Sequence, residues 1–266
     1  MPRGPAGMTA LVTGAADGIG RATAERLVGQ GWNVLAADRD AEKLAWAEQA
    51  GIALIAADVS SEADNAKMIA EVESRFGGLD AAVFNAGVTG GGAIDELSFT
   101  DFQKIVGVNL FGPVLGIKAA LPVLRRSDRP AIVLTSSTMG VAGDAENWAY
   151  CASKHALIGL VRSLSRELGC EGIRINALCP GPTKTGMTRM MEDLAPEHYA
   201  QMIRQVPLQR WADPDEMASV IEFLISPAAS YVNGHAMVAD GGAMVGTGLV
   251  APKSGTSPAI PPQINR

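Results

Sequence analysis

Short apolar segments alternate with longer amphipathic segments along most of the chain. The short segments are rich in alanine, valine, leucine and isoleucine, and they predict buried strands near residues 9–13, 33–37, 52–57, 80–84, 131–136, 173–178 and 235–239. The segments between them have helical periodicity. Such an alternation is typical of a parallel sheet with helices on both faces. The pattern therefore predicts a doubly wound, seven-stranded α/β fold that forms a single domain over residues 1–245.

Two stretches interrupt this alternation. Residues 181–212 contain several prolines and methionines, which is typical either of a lid over a ligand or of an ordinary packed excursion. Residues 246–266 are rich in glycine, proline and serine and follow the last predicted strand. We therefore expect an extended or disordered C-terminal tail.

The composition restricts the possible partners. A chain of 266 residues that is 47% hydrophobic and 19% charged can form one large core. The net charge of -6, with no run of lysine or arginine, argues against a nucleic-acid partner. Cys151, Cys170 and Cys179 are odd in number and lack the spacing of metal ligands, so we expect reduced thiols, no metal site and a cytoplasmic protein. No apolar run reaches membrane-spanning length, so we expect no membrane partner.

A glycine-rich turn follows the first predicted strand. The segment Gly14-Ala15-Ala16-Asp17-Gly18-Ile19-Gly20 separates that strand from a helical pattern. Glycines at such a junction let the backbone turn tightly and let a diphosphate approach, while the free amides of the helix start face the anion. The spacing is G-x-x-x-G-x-G rather than G-x-G-x-x-G, and an ordinary turn is the alternative interpretation.

Asp38 ends the second predicted strand, about 20 residues beyond the glycine turn, where an acid accepts hydrogen bonds from an adenosine ribose. A carboxylate there would repel a 2′-phosphate, which favours NAD over NADP, whereas the adjacent Arg39 acts in the opposite sense. The alternative is that Asp38 caps the following helix, which runs through Lys43.

Tyr150 and Lys154 are four residues apart within a predicted helix, so they share one helix face. A cation near a phenol lowers the phenol pKa from about 10 and so gives an acid and base that works near neutral pH. Taken alone, such a pair usually belongs to a solvated helix face.

Six motifs occur in an order that resembles the short-chain dehydrogenase/reductase family of single-domain Rossmann enzymes, from about residue 8 to residue 245. They are Thr13-Gly14-Ala15-Ala16-Asp17-Gly18-Ile19-Gly20, Asp58-Val59, Asn85-Ala86-Gly87, Asn109, Ser136-Ser137 before Tyr150-Cys151-Ala152-Ser153-Lys154, and Pro180-Gly181. The resemblance implies the Rossmann fold and the family's oxidoreductase reaction, but it does not identify the substrate.

The resemblance also implies a dinucleotide site. Its expected cofactor-binding residues are Gly14, Asp17, Gly18, Ile19, Gly20, Asp38, Arg39, Asp58, Val59, Asn85, Ala86, Gly87, Tyr150, Lys154, Pro180, Gly181, Thr183 and Thr185. Asp58 and Val59 would contact the adenine, and Thr183 and Thr185 would hold the nicotinamide carboxamide.

Four residues carry the catalysis that the resemblance implies. Tyr150 would exchange the proton of the alcohol, and Lys154 would lower the tyrosine pKa and bind the nicotinamide ribose. Ser137 would donate to the substrate oxygen, although the serine and threonine on either side of it are alternatives. Asn109 would distort a helix and hold a water that links Lys154 to solvent.

The substrate pocket is expected to involve Thr89 to Gly92, Met139 to Asp144, Trp148 and the 186–211 segment. The expected substrate contacts are Ser137, Met139, Asp144, Tyr150 and Met187. This lining is mostly apolar and suits a small-molecule secondary alcohol or ketone, such as a cyclic or steroid-like one, although the methionines could equally pack in the core.

Two other functions stay open at this point. The first is a non-catalytic dinucleotide-binding sensor or scaffold, which loss of Tyr150, Lys154 or Ser137 would have marked. The second is another enzyme on the same fold, namely an NADP-preferring reductase, an enoyl reductase or an epimerase. The interval from Ser137 to Tyr150 matches the carbonyl reductase pattern. The resemblance further implies a homotetramer, or a homodimer, built through helices around residues 100–125 and 148–169 and the last strand.

Overall fold

The computed structural model describes residues 7–186, 188 and 196–246. Seven parallel strands form one sheet in the order β3-β2-β1-β4-β5-β6-β7. The strands are β1 (Thr9–Thr13), β2 (Asn33–Asp38), β3 (Ala53–Ala56), β4 (Ala81–Phe84), β5 (Ala131–Thr135), β6 (Arg174–Pro180) and β7 (Ala236–Ala239). Each expected strand is present, which confirms the doubly wound fold. The expected C-terminal tail, apart from residue 246, lies outside the described residues.

Eight α-helices are described, and six of them cover the two faces of the sheet. They are α1 (Gly18–Gly29), α2 (Ala41–Gln49), α3 (Glu62–Phe76), α4 (Phe99–Val106), α5 (Gly112–Leu124), α6 (Trp148–Leu168), α7 (Pro196–Gln205) and α8 (Pro214–Ile225). One core contains residues of α3, α5 and α6, and the other contains residues of α1, α2 and α8. Alternate residues of β1 enter the two cores, since Leu11 lies in the first and Val12 in the second.

The strand order reverses at β1, which pairs with β2 on one side and with β4 on the other. Ligands of open α/β sheets bind outside the carboxyl ends of the strands, at such a point. The carboxyl ends of β1, β2, β4, β5 and β6 deliver the glycine turn, Asp38, Asn85, Ser137 and Pro180 to this edge. The fold therefore gathers the predicted motifs in one place.

A continuous helix of 26 residues, Phe99–Leu124, joins α4 to α5 through a π-helical turn at Gly107–Phe111. Asn109 lies in that turn, which confirms the expected distortion. By length and composition the helix could cross a membrane, so the expectation that no segment reaches that length is wrong for it. Within the domain its inner face, including Ile117 and Ala120, is buried in the core, and a core helix needs the same apolar composition.

Candidate active site

A cavity of about 540 Å³ opens at the carboxyl edge of the sheet and brings most of the predicted site together. The predicted residues that line it are Gly14, Asp17, Gly18, Ile19, Asp38, Arg39, Asp58, Val59, Asn85, Ala86, Gly87, Ser137, Met139, Tyr150, Lys154, Pro180, Gly181, Thr183 and Thr185. Gly20, Asn109 and Asp144 are not part of its wall. Met187 lies outside the described residues. The cavity is therefore one continuous space that joins the cofactor and catalytic motifs.

The glycine turn forms one end of the cavity. Asp17 begins α1 as its N-cap, and its carboxylate accepts a hydrogen bond of 2.7 Å from the amide of Gly18. Gly20 does not face the cavity, because a Cβ there would overlap the carbonyl oxygen of Gly14. Because Gly20 has no side chain, the first turn of α1 packs closely on the end of β1. The amino end of α1 consequently points at the cavity, as an anion site requires.

The carboxylate of Asp38 is held by two backbone amides at the end of β2. Its Oδ2 accepts from the amide of Ala16 at 3.1 Å and its Oδ1 from the amide of Asp40 at 3.0 Å. Asp40, and not Asp38, caps α2, since its Oδ1 accepts from the amide of Lys43 at 3.0 Å. The alternative interpretation of Asp38 as a helix cap is therefore wrong. The glycine turn and Asp38 form one hydrogen-bonded unit.

Asp58 and Asn85 shape the cavity between the glycine turn and the catalytic residues. Asp58 Oδ1 accepts from both the amide and the hydroxyl of Ser60, and these hydrogen bonds lower the Asp58 pKa. Asn85 Nδ2 donates to the carbonyl oxygens of Thr13 at 3.2 Å and Gly14 at 3.3 Å. Asn85 thus ties the end of β4 to the glycine turn.

Tyr150, Ser137 and Lys154 meet at the other end of the cavity. Tyr150 and Ser137 both line the cavity, and the Ser137 side chain lies near enough to lower the Tyr150 pKa. Lys154 is 3% exposed, and its Nζ donates to the carbonyl oxygen of Thr135 at 2.8 Å. The same ammonium lies 5.5 Å from the centroid of the Tyr150 ring. The helical spacing has therefore placed the pair on one inward face of α6.

The pKa values of this pair differ from the sequence-based expectation. Burial raises the pKa of Tyr150, and the hydrogen bond from Ser137 acts in the opposite direction. Burial also lowers the pKa of Lys154 to about 8. The expected lowering of the tyrosine pKa by Lys154 is therefore wrong for the protein alone, because desolvation of the phenol is the larger effect.

Asn109 is fully buried behind the catalytic residues. Its Oδ1 accepts from the amide of Val88 at 2.8 Å, and its Nδ2 donates to the carbonyl oxygen of Val88 at 2.9 Å and to Ser153 Oγ at 3.1 Å. The hydroxyl of Ser153 in turn donates to the carbonyl oxygen of Tyr150 at 2.7 Å. Asn109 thus links the end of β4 to α6. A water link between Asn109 and Lys154 stays a prediction.

The substrate end of the cavity differs in part from the expected one. Its wall includes Thr89, Met139, Asn147, Met202 and Trp211.

Residues 90–92, residues 140–144 and Trp148 were also expected at the substrate end, but they are not part of its wall. Trp148 packs on Phe102 with ring centroids 5.2 Å apart. Asp144 is exposed, and its Oδ2 accepts a hydrogen bond of 2.6 Å from Asn147 Nδ2. Sequence reasoning missed Asn147, although it stands three residues before Tyr150 and so near the same helix face.

The segment after β6 folds back over the glycine turn. The amide of Lys184 donates to the carbonyl oxygen of Ala212 at 2.9 Å. Thr188 Oγ1 accepts from the amide of Thr185 at 2.9 Å and donates to the carbonyl oxygen of Thr183 at 2.6 Å. A Cβ at Gly18 would lie 2.9 Å from Thr185 Cγ2. Thr188, which sequence reasoning missed, therefore holds the two expected carboxamide-binding threonines in one turn.

Comparisons with known proteins agree with this geometry. A family profile described as enoyl-(acyl carrier protein) reductase matches residues 14–244. A 2,5-dichloro-2,5-cyclohexadiene-1,4-diol dehydrogenase of Sphingobium indicum is 37% identical over 250 residues, which are 89% of this chain and 96% of that protein. The chain belongs to the short-chain dehydrogenase/reductase family.

Two further members of the short-chain dehydrogenase/reductase family match over most of their length. The meso-2,3-butanediol dehydrogenase of Serratia marcescens is 36% identical over 242 residues, 90% of this chain and 95% of that protein. The crystal structure of levodione reductase superimposes with a TM-score of 0.85 at 33% identity, covering 89% of this chain and 97% of that one. The protein is thus an NAD(P)-dependent alcohol dehydrogenase/ketone reductase.

Short-chain dehydrogenases use nicotinamide dinucleotides, and the residues of the cavity fit such a group. The amino end of α1 would hold the diphosphate, and the fixed carboxylate of Asp38 would accept from a ribose. Thr135 Oγ1 is buried in the cavity wall and has no hydrogen-bond partner among the described residues. These features match a polar ligand that runs from the glycine turn to Lys154.

Proposed function

We propose that this protein interconverts a largely apolar secondary alcohol and its ketone, with NAD as the preferred cofactor and Tyr150 as general acid and base. The observation that carries the proposal is that the side chains of Tyr150 and Ser137 lie near each other in the wall of the cavity. Because these two hydroxyls are adjacent, a single substrate oxygen can contact both of them.

The residues of the chain divide the chemistry between them. In the oxidative direction, Ser137 donates a hydrogen bond to the substrate oxygen while Tyr150 accepts the hydroxyl proton. When bound, the dinucleotide supplies the acceptor for the hydride that leaves the substrate carbon. In the reductive direction, Tyr150 returns the proton to the oxygen. Burial raises the Tyr150 pKa, so the phenol carries the proton that this step requires.

The preference for NAD rests on Asp38. Its two carboxylate oxygens are oriented by the amides of Ala16 and Asp40, so it cannot turn away from a ligand without losing both hydrogen bonds. A 2′-phosphate at this position would meet a fixed negative charge. Arg39 also lines the cavity but is exposed, and solvent screens its charge.

The wall of the cavity and the relatives both support an uncharged, largely apolar substrate. Met139, Met202 and Trp211 supply apolar surface, and Arg39 is the only arginine among the described residues that line the cavity. A phosphorylated substrate is therefore poorly matched. The relatives are named for a ring diol, for butanediol and for levodione, which is consistent with an uncharged alcohol or ketone.

The assembly and location of the protein are also proposals. Phe99 and Phe111 are 70% and 56% exposed on the α4–α5 helix, and buried apolar contacts between chains would cover them in a homotetramer or a homodimer. The three cysteines are free, which supports a reducing, cytoplasmic environment.

A screen of secondary alcohols with NAD tests the proposal by the appearance of NADH absorbance. The panel contains cyclic and acyclic alcohols, and NADP is tested in parallel. We expect turnover of apolar alcohols with NAD, abolished by Tyr150→Phe. Binding of NADH without turnover of any alcohol or ketone would favour the non-catalytic alternative. Turnover of an enoyl substrate alone would favour the enoyl reductase.

A further inference from the structure

Asn147 borders the substrate end of the cavity beside the catalytic tyrosine. It is the residue that immediately precedes α6, and it lies three positions before Tyr150. Residues three apart on a helix lie on the same face, with Cβ atoms about 5–6 Å apart. The Asn147 side chain is therefore within reach of a small molecule whose reacting oxygen contacts Tyr150 and Ser137.

The side-chain amide of Asn147 donates hydrogen bonds through its nitrogen, whereas its oxygen accepts none from the described residues. Nδ2 donates to Asp144 Oδ2 at 2.6 Å and, more weakly, to the carbonyl oxygen of Ala145 at 3.4 Å. Both partners are acceptors, so the reversed amide would set oxygen against oxygen. Asparagine before a helix usually accepts from a backbone amide, but Asn147 makes no such cap. Among the described residues, nothing donates to its Oδ1.

The backbone next to Asn147 adopts a strained conformation. Glu146 has φ 60°, a left-handed conformation that a non-glycine residue adopts only when its surroundings hold it there. Its carbonyl oxygen accepts from the amide of Gly92 at 2.7 Å. A Cβ at Gly91 would lie 2.8 Å from the carbonyl oxygen of Glu146 and 3.0 Å from Asn147 Oδ1, so a side chain at residue 91 would crowd both oxygens.

We propose that Asn147 Oδ1 accepts a hydrogen bond from a second hydroxyl of the substrate, and that the preferred substrate is consequently an uncharged diol. One oxygen would contact Ser137 and Tyr150 and be oxidised, while the other would donate to Asn147 and stay unchanged. Asp144 is then a positioning residue that orients the Asn147 amide. The proposal rests on the proposed alcohol dehydrogenase function.

The experiment compares kcat/KM for cyclohexane-1,2-diol, as cis and trans isomers, with kcat/KM for cyclohexanol, using NAD. The wild-type protein should prefer at least one diol isomer. In Asn147→Ala, kcat/KM for that isomer should fall about tenfold, equivalent to about 1.4 kcal/mol, while cyclohexanol changes less than about twofold. The loss should lie mainly in KM, because the second hydroxyl is held equally before and during the reaction.

Variants of Asp144 test its positioning role. Asp144→Ala should lose part of the diol preference, whereas Asp144→Asn, which keeps an acceptor for Asn147 Nδ2, should retain it. Asn33→Ala, at an exposed asparagine that begins β2 and is not part of the cavity wall, is the matched control and should leave the ratio of diol to cyclohexanol efficiency unchanged.

Each contrary outcome has a distinct meaning. Equal wild-type efficiency with the diols and cyclohexanol, or an equal loss of both in Asn147→Ala, would overturn the role of Asn147. Turnover of none of these compounds or of any other alcohol would overturn the proposed function instead. Cyclohexanol turnover in each variant shows that it is folded.

Discussion

Lys154 donates a hydrogen bond of 2.8 Å from its ammonium to the carbonyl oxygen of Thr135, at the end of the strand that leads to Ser137. The ammonium is thereby buried next to the Tyr150 ring instead of being solvated. This bond fixes a cation 5.5 Å from the centroid of the Tyr150 ring, and the burial of that cation disfavours its charged form.

The stability of the protein should depend on the protonation of Lys154. Its pKa is lowered from 10.5 to about 8, so between these values the unfolded state binds more protons than the folded state. The free-energy cost of burying the charged lysine is complete below pH 8 and is relieved as the pH rises to 10.5. Lys154→Met should therefore be more stable than wild type by up to about 3 kcal/mol at pH 7, with a smaller difference at pH 9.5.

Denaturant unfolding at the two pH values measures this difference. Lys118→Met is the control, because Lys118 is an exposed lysine paired with Glu62 and should show no such pH-dependent change. If Lys154→Met changes the free energy of unfolding by the same amount at both pH values, the lowered pKa of Lys154 is contradicted.

Tyr150→Phe should remove nearly all turnover and leave NADH binding nearly unchanged, since only the proton-transferring hydroxyl is lost. Steady-state rates and a fluorescence titration of NADH measure the two effects. Tyr231→Phe, at an exposed tyrosine far along the chain, is the control and should retain full activity. If Tyr150→Phe keeps more than about a tenth of the rate, a loss of under roughly 1.4 kcal/mol, Tyr150 is not the acid and base.

Asp38→Ala should lower kcat/KM with NAD by about tenfold or more and raise that with NADP, since Arg39 would then face a 2′-phosphate without an opposing carboxylate. The ratio of the two efficiencies is the measurement. Asp40→Ala removes the cap of α2 and should cost about 1 kcal/mol of stability without changing this ratio. Equal wild-type efficiency with both cofactors would show that Arg39 outweighs the acid.

Gly20→Ala should destabilise the glycine turn by about 1–3 kcal/mol and weaken cofactor binding, because the added Cβ would overlap the carbonyl oxygen of Gly14. Thermal unfolding with and without NADH measures both effects. Gly29→Ala, in the same helix but with open space around it, should be neutral or stabilising by about 0.5–1 kcal/mol. Equal behaviour of the two variants would mean that the turn tolerates a side chain.

Light scattering should give the mass of a homotetramer or homodimer for the wild-type protein. Phe111→Asp should shift the mass toward that of one chain, because it places a charge in the proposed contact. Val28→Asp, on α1 and outside that contact, should leave the mass unchanged. A wild-type monomer would contradict the proposed assembly.

Much of the fold could be predicted because its determinants are local. The strands are buried on both faces, so they stand out as short apolar runs such as Ala131–Thr135. Tyr150 and Lys154 could be paired because a helix has a fixed repeat. Asp38 could be identified because it closes a strand at a known distance from a glycine turn.

Other features depend on contacts between distant segments. Trp148 lies on the same helix as Tyr150, yet it packs on Phe102, and Asp144 hydrogen-bonds to Asn147 instead of lining the cavity. Neither of these contacts can be predicted from helical periodicity. The raised pKa of Tyr150 depends on how deeply the phenol is buried, which only the assembled domain determines.

The contact between Thr185 and Gly18 bears on the order in which ligands come and go. The segment after β6 touches the glycine turn through Thr185 and contributes Met202 and Trp211 to the wall around the substrate. A dinucleotide bound along the glycine turn would adjoin this segment and so form part of the surface that the substrate contacts. We therefore expect compulsory-order kinetics, in which the cofactor binds first and leaves last and its departure limits the steady-state rate.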